Sequence, residues 1–437
     1  MASRFINTKT ALLYEAEEGQ SRKGILIFGD EVETRGAVHG DRVRAKARGV
    51  EGWLNVAQLG EQRPLEMYFI DVGQGDATFI VTPGGKKILV DGGINRRALG
   101  FLSWKYQLED PKNRIAIDLL VLSHADGDHL RGLAPIVGHP QIDVRRIVHS
   151  GIATFAPGAM DTKLGDTAKI DGHTYLVTRH SSVAQLPAAK LSAEFRAFRD
   201  AVAEEDCPYQ AVDSETGLLD IGDPSVKLIV LGPRLAALGG SKKGYLYLGS
   251  ESMTINGHSV VLKLTHGRVS LLLPGDINSK GAANLMEDAV IRDQLSAQIL
   301  KGMHHGSQDF DRGFLSAVRP QITVVSSGDE TDYGHPRAVF VGAVGRSSRS
   351  DDALVFSTEI AGNFVEIHEK EASGEPVPED ADPNLVAPSD TRSHHILYKR
   401  RLHGMINVRT DGQAIYAARR VASGTCWEAY GPVEAAP

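Results

Sequence analysis

The sequence predicts a layered α/β domain preceded by a small all-β module. Strand-like apolar runs alternate with helical patterns from about residue 64 to residue 368, which is typical of layered α/β folds. Short strand patterns separated by Gly-Asp turns fill the first 60 or so residues. Hydrophobic residues make up 42% and charged residues 24% of the 437 residues. This composition excludes a chain that is disordered or coiled-coil throughout.

Residues 1–62 are expected to form the small β module. Their strand patterns are bounded by Gly-Asp pairs at 29–30 and 40–41, which favour antiparallel β-structure. Together with the Gly-Trp pair at 52–53, this pattern resembles a bacterial SH3-like barrel. The alternative is a β-extension packed on the main domain. In either form the module offers a surface to a protein partner.

Residues 64–368 are expected to form one main domain. Strands are predicted where apolar runs end at glycine or polar turns, at 67–70, 77–81, 87–90, 118–122, 226–231, 260–264, 269–273 and 322–326. Helices are predicted at 187–205, where Leu191, Phe195 and Phe198 share one face, and at 282–288.

The C-terminal part divides by charge. Residues 369–390 carry seven acidic side chains against one lysine and contain four prolines, which predicts an extended linker. Residues 391–437 carry seven basic side chains against three acidic ones. An Asp411-Gly412 turn between two strand patterns predicts a β-hairpin there that packs on the main domain.

The cysteine content and the hydropathy pattern limit the type of metal site and the location of the protein. Sixteen histidines stand against only two cysteines, which form no C-x-x-C pair, so a metal site has to use nitrogen and oxygen ligands. The N-terminus lacks a secretory signal pattern, and no apolar run approaches the roughly 18 residues of a membrane span. These features predict a cytoplasmic protein without a membrane partner.

The strongest chemical signal follows the strand at 118–122. His124, Asp126, Asp128 and His129 lie within six residues, so a loop at the strand end can direct all four towards one point. Imidazole and carboxylate ligands together suit zinc, manganese or iron. The alternative is a polar turn that caps the helix beginning near Leu130. The density of ligands favours the metal site.

Three further positions carry candidate ligands. Asp276 follows a strand at a Pro-Gly turn, and the pair His304-His305 follows the short apolar run 299–303. His335 lies in a Tyr-Gly-His-Pro sequence beyond the next strand. Because all of these follow predicted strands, we expect them to converge with the first cluster.

Six motifs occur in one order along the chain. They are FIDVGQGD at 69–76, ILVDGG at 88–93, HADGDH at 124–129, GD at 275–276, HHGS at 304–307 and YGHP at 333–336. This order resembles the metallo-β-lactamase-fold hydrolases, specifically the branch similar to the C-terminal domain of the competence DNA-uptake protein ComEC. The resemblance covers about 300 residues and implies a four-layer αββα sandwich with a metal centre at one edge of its sheets.

The resemblance also implies roles for individual residues. His124 and Asp126 would bind a first metal ion, while Asp128 and His129 would bind a second. Asp276 would bridge the two ions, and His335 would complete the second site. His304 or His305 would contact the scissile phosphate or protonate the leaving oxygen, although either histidine is an alternative to His335 as the last ligand. Asp91 would orient the ligand loop, and Asp71 and Asp76 belong to the first motif block.

One position departs from the resembling family. Relatives often have a further histidine ligand at the end of a strand that precedes the Gly-Asp motif, and we expect Gly232 at that position. His149, His173 and His180 are possible substitutes. The centre is therefore expected to hold one or two divalent ions, either zinc or manganese, and the aspartate-rich ligand set favours manganese.

Hydrolysis by metal-activated water is the predicted reaction. The resemblance makes a phosphodiester the favoured substrate, including single-stranded DNA or RNA, and the basic stretch 398–403 with the His394-His395 pair supports a polyanion. Asp128 is the candidate for orienting the water. The alternatives are hydrolysis of a small phosphoester, choline-phosphate or lactone-like substrate, and a non-catalytic interaction module with an impaired metal site.

Overall fold

A computed structural model describes residues 3–240, 242–328, 333–367, 385–386, 396–420 and 427–436. The N-terminal strands are β1 (Ser3–Ile6), β2 (Thr10–Tyr14), β3 (Arg22–Ile27), β4 (Glu31–His39), β5 (Arg42–Ala47), β6 (Val50–Asn55) and β7 (Leu59–Gly60). They form one antiparallel sheet in the order β3-β2-β6-β5-β4-β1-β7 around a small apolar core that contains Leu13, Val32 and Leu54. The expected all-β module at the N-terminus is confirmed, and its likeness to an SH3 barrel stays a prediction.

Further strands follow along the described part of the chain. They are β8 (Leu65–Phe69), β9 (Thr78–Val81), β10 (Lys87–Val90), β11 (Ile115–Ile117), β12 (Leu119–Leu122), β13 (Ile142–Val144), β14 (Ile147–His149), β15 (Thr167–Ile170), β16 (His173–Leu176), β17 (Tyr209–Ala211), β18 (Gly217–Leu219), β19 (Lys227–Gly232), β20 (Ala236–Ala237), β21 (Lys243–Leu246), β22 (Val261–His266), β23 (Val269–Leu273), β24 (Ile299–Lys301), β25 (Ile322–Val325), β26 (Leu354–Ser357), β27 (Glu359–Ile367), β28 (Leu385–Val386), β29 (Ile396–His403), β30 (Ile406–Thr410), β31 (Ala414–Arg420) and β32 (Trp427–Glu434).

The helices lie between these strands. They are α1 (Arg97–Tyr106), α2 (Gly127–Leu130), α3 (Ala134–Val137), α4 (Ala193–Glu204), α5 (Glu251–Gly257), α6 (Ser279–Met286), α7 (Ala289–Gln294), α8 (Arg312–Val318) and α9 (Ala338–Ser347). Short 3₁₀ helices occur at Val56–Gln58, Ala188–Lys190 and Met303–Gly306. Across the described ranges, no helix combines the length and the apolar character that crossing a bilayer requires.

Two large mixed sheets form the main body. The first has the strand order β17-β14-β12-β10-β9-β8-β30-β31-β32, and the second has the order β18-β19-β22-β23-β24-β25-β26. Smaller sheets are formed by β11-β13, by β15-β16-β21-β20 and by β27-β29-β28. The second sheet, like the first, combines antiparallel strands with a run of parallel ones.

Three apolar layers separate four layers of structure. Alternate residues of β12 show the division, because Leu119 and Val121 face the second sheet while Leu120 and Leu122 face the helices outside the first sheet. Helices α6 to α9 cover the far side of the second sheet, where Leu300 lies beside Phe314 and other apolar helix residues. Each sheet thus buries both of its faces, and the expected αββα sandwich is confirmed.

The helix predicted at 187–205 is shorter than expected. A 3₁₀ turn occupies Ala188–Lys190, and α4 begins only after Ser192, whose hydroxyl accepts a hydrogen bond from the backbone N–H of Phe195. Leu191, which the pattern placed on the helical face, instead forms a β-bridge with Phe155. The serine cap therefore sets the start of the helix in place of the proline.

The end of the chain completes the first sheet. Strands β30 and β31 form the hairpin predicted around Asp411-Gly412, and β30 pairs with β8 in antiparallel register. Upstream, β27 pairs with β29 in a separate sheet. The predicted linker 369–390 lies outside the described residues except for 385–386, and so do His394 and His395. The backbone of the basic stretch 398–403 lies in β29, but its side chains are not among those described.

Parallel strands of both sheets end at the same edge of the sandwich. In the first sheet β10 runs parallel to β12, and in the second sheet β23, β24 and β25 are parallel. The segments that follow these strands carry Asp91, the 124–129 cluster, Asp276 and the His304-His305 pair. Polar residues from four distant parts of the sequence therefore meet at one edge.

Arg409 joins three parts of the molecule away from that edge. The guanidinium of this buried β30 residue donates hydrogen bonds to the carbonyl of Phe28, to Asp30 Oδ1 at 2.9 Å and to Tyr68 Oη at 3.2 Å. It also lies 3.7 Å from Glu66 Oε2. Burial by itself raises the pKa of Asp30, but Arg409 and Arg48 outweigh that effect and hold this pKa below its usual value. The same balance, with Lys105 and Arg409 as the main cations, lowers the pKa of Glu66.

Replacing Arg409 with methionine is expected to lower the free energy of unfolding by about 3 kcal/mol, because two carboxylates then lose a buried partner. Urea unfolding at neutral pH measures this change. The matched control is Arg419→Met on the neighbouring strand, where a partly exposed pair with Glu428 predicts a loss below about 1 kcal/mol.

The effect of Arg409→Met should depend on pH. Carboxyls whose pKa is lowered by folding stabilise the protein above their ordinary pKa of about 4, and this stabilisation is lost as the pH falls below that value. The difference between wild type and variant should therefore shrink in acid. A difference that stays constant from pH 7 to pH 3 would contradict the role of these carboxylates.

Candidate metal centre

The turn after β12 is held by Asp91, which directly follows the neighbouring strand β10. Asp91 accepts hydrogen bonds from the backbone N–H and the hydroxyl of Ser123, both at 2.7 Å. Its Oδ2 also lies 2.9 Å from Nδ1 of His129. Because Nδ1 donates its proton to this carboxylate, the neutral imidazole presents the lone pair of Nε2 on its other side.

The loop at residues 71–76 packs directly on this turn. The backbone N–H of Asp76 donates to the carbonyl of Asp128 at 3.3 Å. Gly75 has a φ of +108°, and a Cβ at this position would lie 1.9 Å from the Asp128 carbonyl oxygen. Only glycine fits this approach, which explains the second glycine of the Gly-Gln-Gly sequence. The loop also brings Gln74 Nε2 to 3.2 Å from Asp128 Oδ2.

The second sheet supplies Asp276 and His305. The backbone N–H of Asp276 donates a hydrogen bond to the hydroxyl oxygen of Ser259 at 3.1 Å. Both His304 and His305 have left-handed backbone conformations, with φ values of 48° and 53°. Such conformations cost about 1–3 kcal/mol each and occur mainly at functional sites. This backbone lets His305 Nδ1 donate to the carbonyl of Ser326 at 3.0 Å, which leaves its Nε2 free.

Ligand atoms from both sheets converge on one point. Asp276 Oδ2 lies 2.9 Å from His305 Nε2 and 3.3 Å from His129 Nε2. The two Nε2 atoms are 3.4 Å apart, and Asp128 Oδ2 is 3.4 Å from His305 Nε2. Atoms bound tetrahedrally to an ion at about 2.0–2.1 Å lie roughly 3.3–3.4 Å from one another. The spacing of the Asp276, His129 and His305 atoms therefore fits a divalent metal ion, and Asp128 lies beside them at His305.

Asp76 lies on the far side of the two imidazoles. Asp76, His129, Asp276 and His305 each place a possible ligand atom within 4.8 Å of the others. However, the Asp76 carboxylate faces the Nδ1 atoms of His129 and His305, at 3.8 and 3.6 Å, and forms an ion pair with Lys301. The ammonium next to Asp76 opposes a metal ion on that side. Asp76 is thus better suited to supporting the ligands than to binding the ion.

The buried carboxylates of the site attract positive charge. Asp76, Asp91 and Asp276 are nearly inaccessible to solvent, and the buried ammonium of Lys301 faces Asp76 and Asp276. Burial lowers the pKa of His129 and His305, but Asp276 and the neighbouring carboxylates outweigh burial and hold both pKa values well above the usual value. A divalent ion among these residues would supply positive charge in place of the imidazolium protons.

Some of the residues predicted as ligands lie at the ligand cluster, and others lie beside it. His129, Asp128, Asp276 and His305 meet at the convergence point described above. His124 packs beside His129 with ring centroids 4.1 Å apart and the rings tilted by 53°, and its Nε2 is buried without a hydrogen bond. The side chain of Asp126 is partly exposed, and its Oδ2 lies 3.8 Å from His124 Nε2. Burial and then repulsion from Asp128 raise the pKa of Asp126 to about 7.

The third predicted histidine position lies farther out. The ring of His335 is centred 6.4 Å from that of His305 and 6.0 Å from that of His304. His335 is thus outside the four-residue group, and His305, the alternative last ligand, lies among the ligand atoms. Burial and then the neighbouring cations, including Arg337, lower the pKa of His335 to about 4.

His304 lies at the mouth of the site in a defined orientation. Its Nε2 is 3.4 Å from the amide nitrogen of Asn256, and its Nδ1 is buried without a hydrogen bond. Burial lowers the pKa of His304, so the ring is neutral near pH 7. If the amide donates to Nε2, the ring proton is on Nδ1. His304 then offers an unused hydrogen-bond donor beside the ligand atoms.

The structure explains why position 232 supplies no metal ligand. Gly232 packs against Val261 and Leu285 in the apolar layer outside the second sheet. The candidate substitutes contact other residues: His149 Nδ1 lies 3.1 Å from Tyr209 Oη, and the ring of His180 packs at a tilt against Phe155. His173 is exposed on β16.

Asn256, Lys301 and the role of Asp76 could not be identified as parts of the site from the sequence. Asn256 lies in the last turn of α5 and faces His304, although no metal-ligand pattern occurs there in the sequence. Lys301 looks like a polar interruption at the end of an apolar strand. Asp76 stood in a recognised motif, but only the packing of its loop on Asp128 shows what it contacts.

Similarities to known proteins agree with this geometry. Residues 70–188 match the Metallo-beta-lactamase superfamily. ComE operon protein 3 of Bacillus subtilis (strain 168) is 23% identical over 288 residues, which are 62% of this chain and 29% of that protein. Competence protein ComA of Neisseria gonorrhoeae is 35% identical over 108 residues, which are 24% of this chain and 15% of that protein.

Two other matches extend the comparison. Recombination protein 2 of Haemophilus influenzae is 23% identical over 300 residues, which are 68% of this chain and 28% of that protein. The chain thus spans less than a third of the length of these curated relatives. A solved metallo-β-lactamase motif mutant from Cronobacter sakazakii is 14% identical, with a TM-score of 0.27 over 54% of this chain and 75% of that one.

The superfamily match covers β9, β10 and β12 and the turn that carries His124 to His129. The curated relatives are ComEC-like competence proteins. The two-sheet sandwich and these matches together identify a metallo-β-lactamase fold in a chain that is similar to ComEC-like competence proteins.

Proposed function

We propose that this protein is a metal-dependent phosphodiesterase that acts on nucleic acid. The observation that carries the proposal is the approach of His129, His305 and Asp276 at metal-ligand spacing, with Asp128 beside them. His124, His304 and His335 lie around this group, and each has one buried ring nitrogen without a hydrogen-bond partner. Neutral imidazoles and carboxylates of this kind suit Mn²⁺ or Zn²⁺.

The residues of the site divide the work of hydrolysis. A bound divalent ion supplies Lewis acidity, which polarises a phosphoryl oxygen and makes water a nucleophile near neutral pH. Asp128, which is partly exposed and faces both His305 and the mouth, orients the attacking water. His304 donates from Nδ1 to a phosphoryl oxygen and stabilises the charge that develops there.

The mouth of the site suits a single-stranded polyanion. Tyr333 is 60% exposed and stacks on His335 with ring centroids 5.7 Å apart, so its outer face is open to a nucleobase. The exposed Arg337 follows two residues after His335 and places a guanidinium beside the same rim. The competence and recombination names of the curated relatives also favour DNA as the substrate.

Metal binding is expected to depend on the converging residues. Asp276→Asn and His305→Gln should each weaken Mn²⁺ binding by more than about 100-fold, because each removes a ligand atom from the point of convergence. Isothermal titration calorimetry measures the affinity. The control is His266→Gln, which replaces a histidine that contacts only the carbonyl of Ser225 on a distant surface. Equal affinity in all four proteins would exclude this site.

Cleavage of single-stranded DNA should require the same residues and His304. With Mn²⁺, we expect wild type to cut a labelled oligonucleotide and to hydrolyse bis-p-nitrophenyl phosphate. Asp128→Asn and His304→Ala should reduce kcat by at least about 100-fold. His266→Gln should keep full activity.

The same assay separates the competing functions. Turnover of a lactone or of a small phosphomonoester without DNA cleavage would favour a small-molecule hydrolase. Metal binding without any turnover would favour a non-catalytic module, for which the N-terminal strands offer a protein-binding surface. Either result would contradict the proposed nuclease.

Arg337 is expected to contribute to substrate binding more than to chemistry. Arg337→Ala should raise KM for the oligonucleotide by about 3- to 10-fold and leave kcat unchanged, because the guanidinium contacts only the phosphate backbone. The effect should decrease at high salt. Arg346→Ala, at the other end of α9, is the matched control. An unchanged KM, or an equal change in both variants, would exclude this contact.

A further inference from the structure

Lys301 lies between the two sheets in a place where an apolar residue is expected. In β24 the side chain of Ile299 joins the layer between the sheets and that of Leu300 joins the outer layer. The alternation of a strand therefore directs Lys301 into the layer between the sheets, where it is only 2% exposed. A lysine at such a position needs a specific partner.

Three oxygen atoms surround the ammonium of Lys301. It forms an ion pair with the Asp76 carboxylate, which the loop 71–76 brings from the first sheet. It also lies 3.4 Å from Asp276 Oδ1 and 3.4 Å from the carbonyl oxygen of Gly275. Two carboxylates and a carbonyl form the oxygen-only ligand set that Mn²⁺, Mg²⁺ or Ca²⁺ prefers. The ammonium thus occupies a cation site next to the metal ligands.

This arrangement divides the two oxygens of Asp276. Oδ1 contacts Lys301, whereas Oδ2 faces the Nε2 atoms of His129 and His305. The resemblance to metallo-β-lactamase-fold hydrolases implies that Asp276 bridges two metal ions. In the structure the second cation near this carboxylate is the ammonium of the protein itself.

The ammonium of Lys301 compensates buried negative charge as a metal ion would. Asp76, Asp91 and Asp276 carry three negative charges at nearly inaccessible positions, and the partly exposed Asp128 adds a fourth. Lys301 supplies one positive charge next to Asp76 and Asp276. A metal ion placed between the same oxygens would lie against this ammonium, and repulsion between two cations is unfavourable in a poorly solvated region.

We propose that Lys301 is a positioning residue whose ammonium takes the place of a second metal ion. Each chain then binds one divalent ion, and Asp276 ligates that ion through Oδ2 alone. The inference deepens the proposed function, because it concerns the same centre and sets its metal stoichiometry.

Counting metal ions tests this inference directly. The protein is loaded with excess Mn²⁺, passed through a desalting column and analysed for manganese per chain by mass spectrometry. We expect one ion in wild type and one in Lys301→Arg. We expect two in Lys301→Ala, because the truncated side chain leaves the oxygens of Asp76, Asp276 and Gly275 to a second ion. Electron paramagnetic resonance should show exchange-coupled Mn²⁺ in Lys301→Ala alone.

A second lysine provides the control. Lys263 on β22 is half-buried and donates to the carbonyl of Gln294, away from the metal ligands. Lys263→Ala should bind one ion, as wild type does. Two ions in wild type, or one ion in a folded Lys301→Ala, would overturn the inference.

The test stays decisive if Lys301→Ala does not fold. Lys301→Met preserves most of the volume and removes only the charge, so it should bind Mn²⁺ at least tenfold more tightly than wild type. Unchanged or weaker binding in folded Lys301→Met would overturn the inference. Metal counting does not depend on turnover, so a protein with one ion and no DNA cleavage would contradict the proposed function and leave the role of Lys301 intact.

Discussion

The site depends on the neutralisation of carboxylates that the fold buries. Asp76, Asp91 and Asp276 reach the space between the two sheets from three separate loops, and each is almost inaccessible to water. Charges at such depth persist only with partners of opposite sign. Lys301 supplies one positive charge next to Asp76. The imidazoles of His129 and His305 meet at Asp276, which is where a further positive charge is needed.

The two sheets contribute different parts of this balance. The first sheet provides Asp91 and His129. Ser123 donates a hydrogen bond to Asp91, and Asp91 in turn holds the His129 ring in one orientation. The second sheet provides Asp276 and His305, whose left-handed backbone turns Nε2 towards the first sheet. Neither sheet alone assembles the ligand set. The ligand set therefore forms only when the two sheets pack on each other. Contacts far from the site that stabilise this packing also affect the chemistry.

Arg409 shows how remote parts of the chain support the sandwich. It lies in the C-terminal strand β30, pairs with Asp30 of the N-terminal module and contacts Tyr68 and Glu66 of β8. Because β30 forms the neighbour of β8, residues near the end of the chain complete the sheet that carries His129. The N-terminal module is thus joined to the main body by buried charges as well as by the chain itself.

Much of the fold could be predicted because its signals are local. The apolar runs of β10, β12 and β23 and the Asp411-Gly412 hairpin appear in the sequence almost as they do in the structure. The helix start at Ser192 was missed because its cap competes with an earlier proline signal. Leu191 shows the same limit, since its bridge to Phe155 is a non-local contact.

The sequence by itself determined the order of the motifs, the absence of sulfur ligands, and the clustering of His124 to His129 after one buried strand. Only the tertiary structure decided that His305 and not His335 meets His129, and that Lys301 faces Asp76 and Asp276. The physical reason is that ligand convergence depends on side-chain direction and on the packing of two sheets. A linear pattern records the spacing of residues along one strand, but it does not record which atoms of distant strands approach each other.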